Sequence, residues 1–133
     1  MTDTFRNFVA EFVAAWAARD AKAFLALWHP DGVLHYPLTD RPIAGREIGL
    51  LNDRQKQAAP DLVWRLIDWT ARDELLMLEW HTSHSVEGKR FDWRGIDKLR
   101  LKSGKIIEER VYADTALLRA AHTGVSPPPL LRL

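Results

Sequence analysis

Apolar residues in the first stretch of the chain are Phe5, Phe8, Val9, Phe12, Val13 and Trp16, the i, i+3, i+4, i+7, i+8, i+11 spacing of one helical face. That spacing predicts an amphipathic helix over residues 4–18. Asp20 can cap a second, short helix carrying Phe24, Leu25, Leu27 and Trp28, which the "HPDG" run at 29–32 ends as a turn. "VLHY" then reads as a short strand closed by Pro37. After the irregular "PLTDRPIAG", Ile48, Leu50 and Leu51 alternate with polar residues in a third helix over 46–59, thin on its apolar face and stopped by Pro60. From Asp61 the texture changes. "LVWRLIDWT", "ELLMLEWHTSHSV", "RFDWRGIDKLRL" and "KIIEERVYA" are rich in β-branched and aromatic residues and are separated by "ARD", "EG" and "KSG", which predicts four strands in an antiparallel meander. "ADTALLRAAH" gives a last short helix with Asp114 as its cap. The pattern is that of one α+β domain over residues 1–122, helices gathered on one face of a curved sheet, followed by a proline-rich tail over 123–133.

Within the third strand of the meander, Trp93, Gly95, Asp97, Leu99 and Leu101 share a face, and Arg94, Ile96, Lys98 and Arg100 share the other. Asp97 is the misfit, a carboxylate on the apolar side. If "EG" is a two-residue hairpin turn, Trp80 faces Gly95, Thr82 faces Trp93 and His84 faces Phe91 on that same side. If "KSG" is a three-residue turn, Asp97 lies opposite Glu109, Gly95 opposite Val111 and Trp93 opposite Ala113. Two carboxyls then meet on a surface of Trp80, Thr82, Trp93, Val111 and Ala113, the composition of a small-molecule pocket. An isolated ionised carboxylate in a core costs several kcal/mol, on the order of that expected for any unpaired buried ion, so Asp97 must be paired, protonated or beside a cavity. A bond to a tyrosine, an arginine or the backbone satisfies that demand as well as a catalytic role does. Beside Glu109, at least one of the two pKa values rises and the pair titrates as a unit.

Composition narrows the classes. The 133 residues carry a net charge of +1 with interleaved signs, which gives no footprint for nucleic acid. There is no cysteine, hence no disulfide framework and no thiol nucleophile. No targeting segment or membrane span is recognisable, and a cytoplasmic location is expected. His81 and His84 are three apart in a strand and point to opposite faces, so no metal site is expected, nor any cofactor. His84 is a candidate general base or a solvated residue near a hairpin tip. On the outer face Lys98 is expected opposite Glu108, His81 opposite Arg94 and Ser83 beside Asp92, as a solvated face or part of a homodimer interface. The tail reaches across such an interface, closes the cavity mouth or frays.

The order of helix, short helix, "PDGV", strand, "GRE", "PDL", meander, "IDKLRL", "GKIIEE" and "YAD" resembles the nuclear-transport-factor-2-like, SnoaL-like superfamily over residues 5–120. The resemblance implies a cystatin-like conical barrel around one cavity, and a family that includes isomerases, polyketide cyclases, epoxide hydrolases, dehydratases and non-catalytic dimers. The "IDxxRF" strand of ketosteroid isomerase matches "IDKLRL" and puts that enzyme's oxyanion acid on Asp97. Its proton-shuttling aspartate falls on Tyr36 and its first-helix tyrosine on Phe12. The cyclases' last-strand aspartate falls on Val111. Asp114 in "YAD" resembles a later aspartate of the superfamily and is read as the cap of the last helix. The expectation is therefore a general acid/base isomerase, cyclase or hydratase acting on a small apolar molecule bearing a carbonyl or hydroxyl. Asp97, Tyr36, Glu109 and His84 are its candidate catalytic residues, and Phe12, Trp16, Trp80, Thr82, Trp93, Val111 and Ala113 line the substrate. The alternative is a non-catalytic ligand-binding or dimeric interaction module of the same fold.

Overall fold

The structure is a computed structural model and describes residues 2–18, 20–127 and 129–132. Helix α1 spans Thr2–Ala17 and turns Phe8, Val9, Phe12 and Ala15 into the core, as its spacing requires. Helix α2 spans Lys22–Leu25 and buries Phe24; the Lys22 N–H donates to Asp20 Oδ1 at 2.9 Å, so Asp20 does tie down its start. Strand β1 spans Trp28–His35, β2 Ile43–Ala44, and helix α3 Arg46–Ala58. The meander follows as β3 Val63–Arg72, β4 Leu75–Val86, β5 Lys89–Lys102 and β6 Lys105–Ala113, and helix α4 closes the order at Ala116–Thr123. Asp114 Oδ1 accepts the Ala116 N–H at 3.0 Å at the head of α4.

The six strands form one curved, open sheet in the order β2-β1-β6-β5-β4-β3, with α1, α2 and α3 supplying the rest of the core. The cystatin-like α+β architecture is present, with two corrections. The sheet is mixed, because β1 runs parallel to β6. The "HPDG" run is not a terminating turn. It lies inside β1, whose pairing with β6 is irregular between Trp28 and Val33, so that Pro30 and Asp31 are pushed outward and exposed while Trp28 and Gly32 stay buried.

Turn chemistry sets the register of the meander. Glu87-Gly88 and Ser103-Gly104 are two-residue turns with both residues at positive φ. The first turn gives the expected pairs Trp80 with Gly95, Thr82 with Trp93 and His84 with Phe91. The second corrects the expected three-residue "KSG" turn, and β6 makes up the difference with a bulge at Ile107, since Leu101 pairs with Ile106 and Arg100 with Glu108. Asp97 therefore stands opposite Val111, Gly95 opposite Ala113 and Leu99 opposite Glu109, two residues from the expected partners. On the outer face Lys98 meets Arg110 and Glu108 meets Arg100, for the same reason; His81 with Arg94 and Ser83 with Asp92 stand as expected. A second bulge at Ile67 in β3 exposes that residue and lets Trp64, Leu66, Trp69 and Ala71 all pack on the core.

Gly95 is required by close approach. A Cβ there would overlap the six-membered ring of Trp80 and the Tyr112 carbonyl. Gly95→Ala is expected to destabilise the fold by about 1–3 kcal/mol through overpacking, read as a lower denaturation midpoint together with an altered near-ultraviolet signal from the displaced indole. An unchanged midpoint would refute the assignment.

Candidate functional site

Between the inner face of the sheet and helices α1 and α3 lies a cavity of about 40 Å³, room for a few water molecules. Sheet residues Trp80, Thr82, Trp93, Asp97, Glu109 and Val111 line it, as does Tyr36 just past the end of β1. Trp16 and Phe24 close it from the first two helices, and Asn52 and Gln55 from α3. Most of the sequence-expected residues are thus brought together. Three are placed elsewhere. Phe12 is fully buried and edges against Phe24 and Trp64 in the core, Ala113 sits beside Gly95 beyond the lining, and His84 is buried behind Trp93 rather than solvated at a hairpin tip.

Asp97 is 3 % and Glu109 2 % exposed. Alternation along β5 turns Asp97 inward, and the Ile107 bulge turns Glu109 inward, since with the same turn and no bulge Glu108 would take that face. The Trp80 indole N–H donates to Asp97 Oδ1 at 2.8 Å. Among the described residues neither carboxyl has a cationic partner, and no lysine, arginine or histidine lines the cavity.

Burial raises the pKa of both acids. Glu109 goes well above the usual carboxylate range, first by burial and then by the charge of Asp97 and by donating its proton to it. Asp97 is pushed up to about 6 by burial, held back by the hydrogen bonds it accepts from Trp80 and Glu109. The two carboxyls therefore titrate as one coupled pair, with Glu109 the group raised further and donating and Asp97 the acceptor. Beside them the Tyr36 phenol is raised above its usual value, by burial first, with the charges of Asp97 and Glu109 adding to it and Gln55 opposing. Gln55 Nε2 donates to the Tyr36 oxygen at 2.7 Å, which leaves the phenolic hydrogen free to donate.

Behind the pair, Trp93 meets Trp80 edge to face at 5.2 Å, and its indole N–H donates to His84 Nε2 at 3.0 Å. The accepted bond puts the neutral-ring proton of His84 on Nδ1, which has no partner among the described residues. His84 thus orients Trp93, which packs against the indole that holds Asp97. His81 lies on the outer face between Arg65 and Asp92. Among the described residues no three histidine, aspartate or glutamate side chains gather as metal ligands would.

Sequence reasoning missed Asn52 and Gln55. The signal was there: Ile48, Leu51, Asn52 and Gln55 follow the i, i+3, i+4, i+7 spacing, so the thin apolar face of α3 is completed by two amides turned inward.

The family model of the SnoaL-like domain matches residues 9–109. The chain belongs to the SnoaL-like family. Its fold is shared with AclR of Streptomyces galilaeus, provisionally assigned as a hydroxylase, at 21% identity over 97% of this chain and 86% of that one, with a TM-score of 0.78. A SnoaL-like polyketide cyclase, so assigned, of Jannaschia matches at 15% identity over 96% and 94%, with a TM-score of 0.78. A protein of ketosteroid isomerase-like fold from Catenulispora acidiphila, in complex with trimethylamine, matches at 18% identity over 90% and 93%, with a TM-score of 0.77. No curated protein matches the sequence significantly. Identities this low establish the common fold. No helix among the described residues of the SnoaL-like chain is long and apolar enough to cross a membrane.

The raised pKa values fix a sign for stability. The native state binds these protons more tightly than the unfolded chain, where the ordinary values are 3.8 and 4.5. Their contribution is full below those values and is lost as pH rises through the native ones, about 6 for Asp97 and higher for Glu109. Unfolding free energy should thus fall from pH 5 to 6, and Glu109→Gln should flatten that fall by about 1.4 kcal/mol per pH unit, one proton's share. Urea denaturation at each pH reads it; identical slopes in both proteins would contradict the shared-proton assignment.

Proposed function

We propose that this SnoaL-like protein is an enzyme that moves protons on a small, largely apolar carbonyl compound, with Asp97 as base and Glu109 and Tyr36 as donors. What carries the reading is a pair of buried carboxyls, both with pKa values raised by burial, on a cavity whose lining among the described residues holds no lysine, arginine or histidine. In the step that isomerisation, cyclisation and dehydration of such compounds share, Asp97 takes a proton from the carbon next to the carbonyl. The C–H electron pair becomes the enolate, and its oxygen receives a hydrogen bond or proton from Tyr36 or Glu109. The proton taken by Asp97 is returned to carbon or delivered to a departing hydroxide. Trp16, Trp80 and Trp93 supply the apolar walls and exclude water. Asp97 takes the opposite role from the oxyanion acid that the isomerase resemblance implies, because Glu109 beside it keeps the proton. A second reading, an interaction module of the same fold without turnover, draws on the cavity's small volume of about 40 Å³, which leaves it nearly filled by its own side chains.

Exchange of the α-hydrogens of cyclopentanone in D2O, followed by proton NMR, tests the reading. The wild-type protein should accelerate exchange, and Asp97→Asn should reduce that acceleration by at least about 10²-fold with the fold intact. Equal rates with both proteins would favour the module.

A further inference from the structure

Besides the carboxyls and the phenol, two side chains of the cavity lining carry polar groups with no partner among the described residues. Asn52 is 2 % exposed and lines the cavity, yet neither its Oδ1 nor its Nδ2 has a hydrogen-bond partner among the described residues. The indole N–H of Trp16, on the same cavity, is also buried and unpartnered. Its neighbour Gln55, one turn along α3, is by contrast committed to Tyr36.

Burying a carboxamide with both halves unpaired costs about 1–3 kcal/mol per group, and a leucine of similar size there would avoid that loss. Ordinary packing gives no reason for an asparagine. Its two halves differ from each other: Nδ2–H donates and Oδ1 accepts, side by side in one plane. A complementary group must present an acceptor and a donor with the same spacing, with a further acceptor position served by Trp16. A ketone or an ether satisfies only one half. A primary amide, a lactam, whose ring holds the amide cis, or a protonated carboxylic acid satisfies both.

We propose that Asn52, supported by Trp16, is the specificity-determining group of the cavity and that it selects compounds carrying a planar donor–acceptor group of the amide or lactam type. The inference rests on the reading of the cavity as the substrate site, and it adds a second polar group to the ligand besides the carbonyl handled by Asp97, Glu109 and Tyr36. The substrate class that follows is a small, largely apolar molecule carrying a reactive carbonyl or hydroxyl together with an amide-like group. An enzyme of this reach discriminates strongly against analogues lacking the N–H, because they leave Asn52 Oδ1 unpaired in the complex.

Two five-membered rings of equal heavy-atom count, 2-pyrrolidinone and cyclopentanone, differ by the N–H alone and serve as probes. Their affinities for the wild-type protein, Asn52→Leu and Asn52→Ala are measured by NMR titration at constant pH. Comparing ratios cancels the greater hydration of the lactam in water. The lactam-to-ketone affinity ratio should fall by about tenfold or more in both variants. Asn52→Leu should also melt no lower than wild type, since it removes unpaired groups, and Asn52→Ala keeps the test alive if the leucine is not accommodated. A ratio unchanged in both variants would overturn the assignment to Asn52 and leave the acid–base reading standing. Failure of both rings to bind any of the proteins would instead count against the cavity as a ligand site, and so against the acid–base reading together with this one.

Discussion

Two buried carboxyls, Asp97 and Glu109, with no cationic partner among the described residues, are the constraint around which the sheet is arranged. Without a cation to neutralise them, two ionised acids side by side in a low-dielectric interior are excluded, and the pair persists because one stays protonated and donates to the other. The surrounding residues hold that arrangement. Gly95 leaves room for the indole of Trp80 to lie across β5 and reach Asp97, Trp93 braces that indole edge-on, and His84 accepts the Trp93 N–H. The bulge at Ile107 sets which glutamate of the Glu108-Glu109 doublet enters the core.

The same region accepts local instability. Asn52, Glu109 Oε2 and the Trp16 indole are all buried with unmet hydrogen-bonding capacity, and all border one cavity. Elsewhere around it the packing is dense: Trp16 stacks on Trp64 at 5.7 Å, and Phe12 meets Phe24 and Trp64 edge-on. A rigid aromatic frame around a polar hollow positions groups for a ligand at the expense of the stability an all-apolar core would give. The indole walls of Trp16, Trp64, Trp80 and Trp93 fit apolar carbon.

Periodicity made most of the architecture legible. The α1 spacing and the alternation in the meander predict those elements, and the "EG" turn predicts the β4–β5 register residue for residue. What escaped had physical reasons. Strand β2 has only two residues, too few to show a period, and turn chemistry in "HPDG" masks a stretch of β1 that bulges outward at Pro30 and Asp31. Bulges are invisible to alternation, so Glu109 was expected inward from a three-residue turn, whereas a two-residue turn plus Ile107 does it, two residues out of register. Asn52 and Gln55 were passed over because a polar residue on a helix reads as solvent-facing until the whole face is traced.

The most direct measurement is a carboxyl carbon NMR titration of protein labelled at aspartate and glutamate, assigned with Asp97→Asn and Glu109→Gln and run from pH 4 to pH 9. The account predicts two coupled titrations, both above the ordinary carboxylate range, with Glu109 keeping its proton to higher pH than Asp97, and a displaced curve for each acid when the other is replaced. Independent ionisation of both acids near ordinary carboxylate values would contradict it.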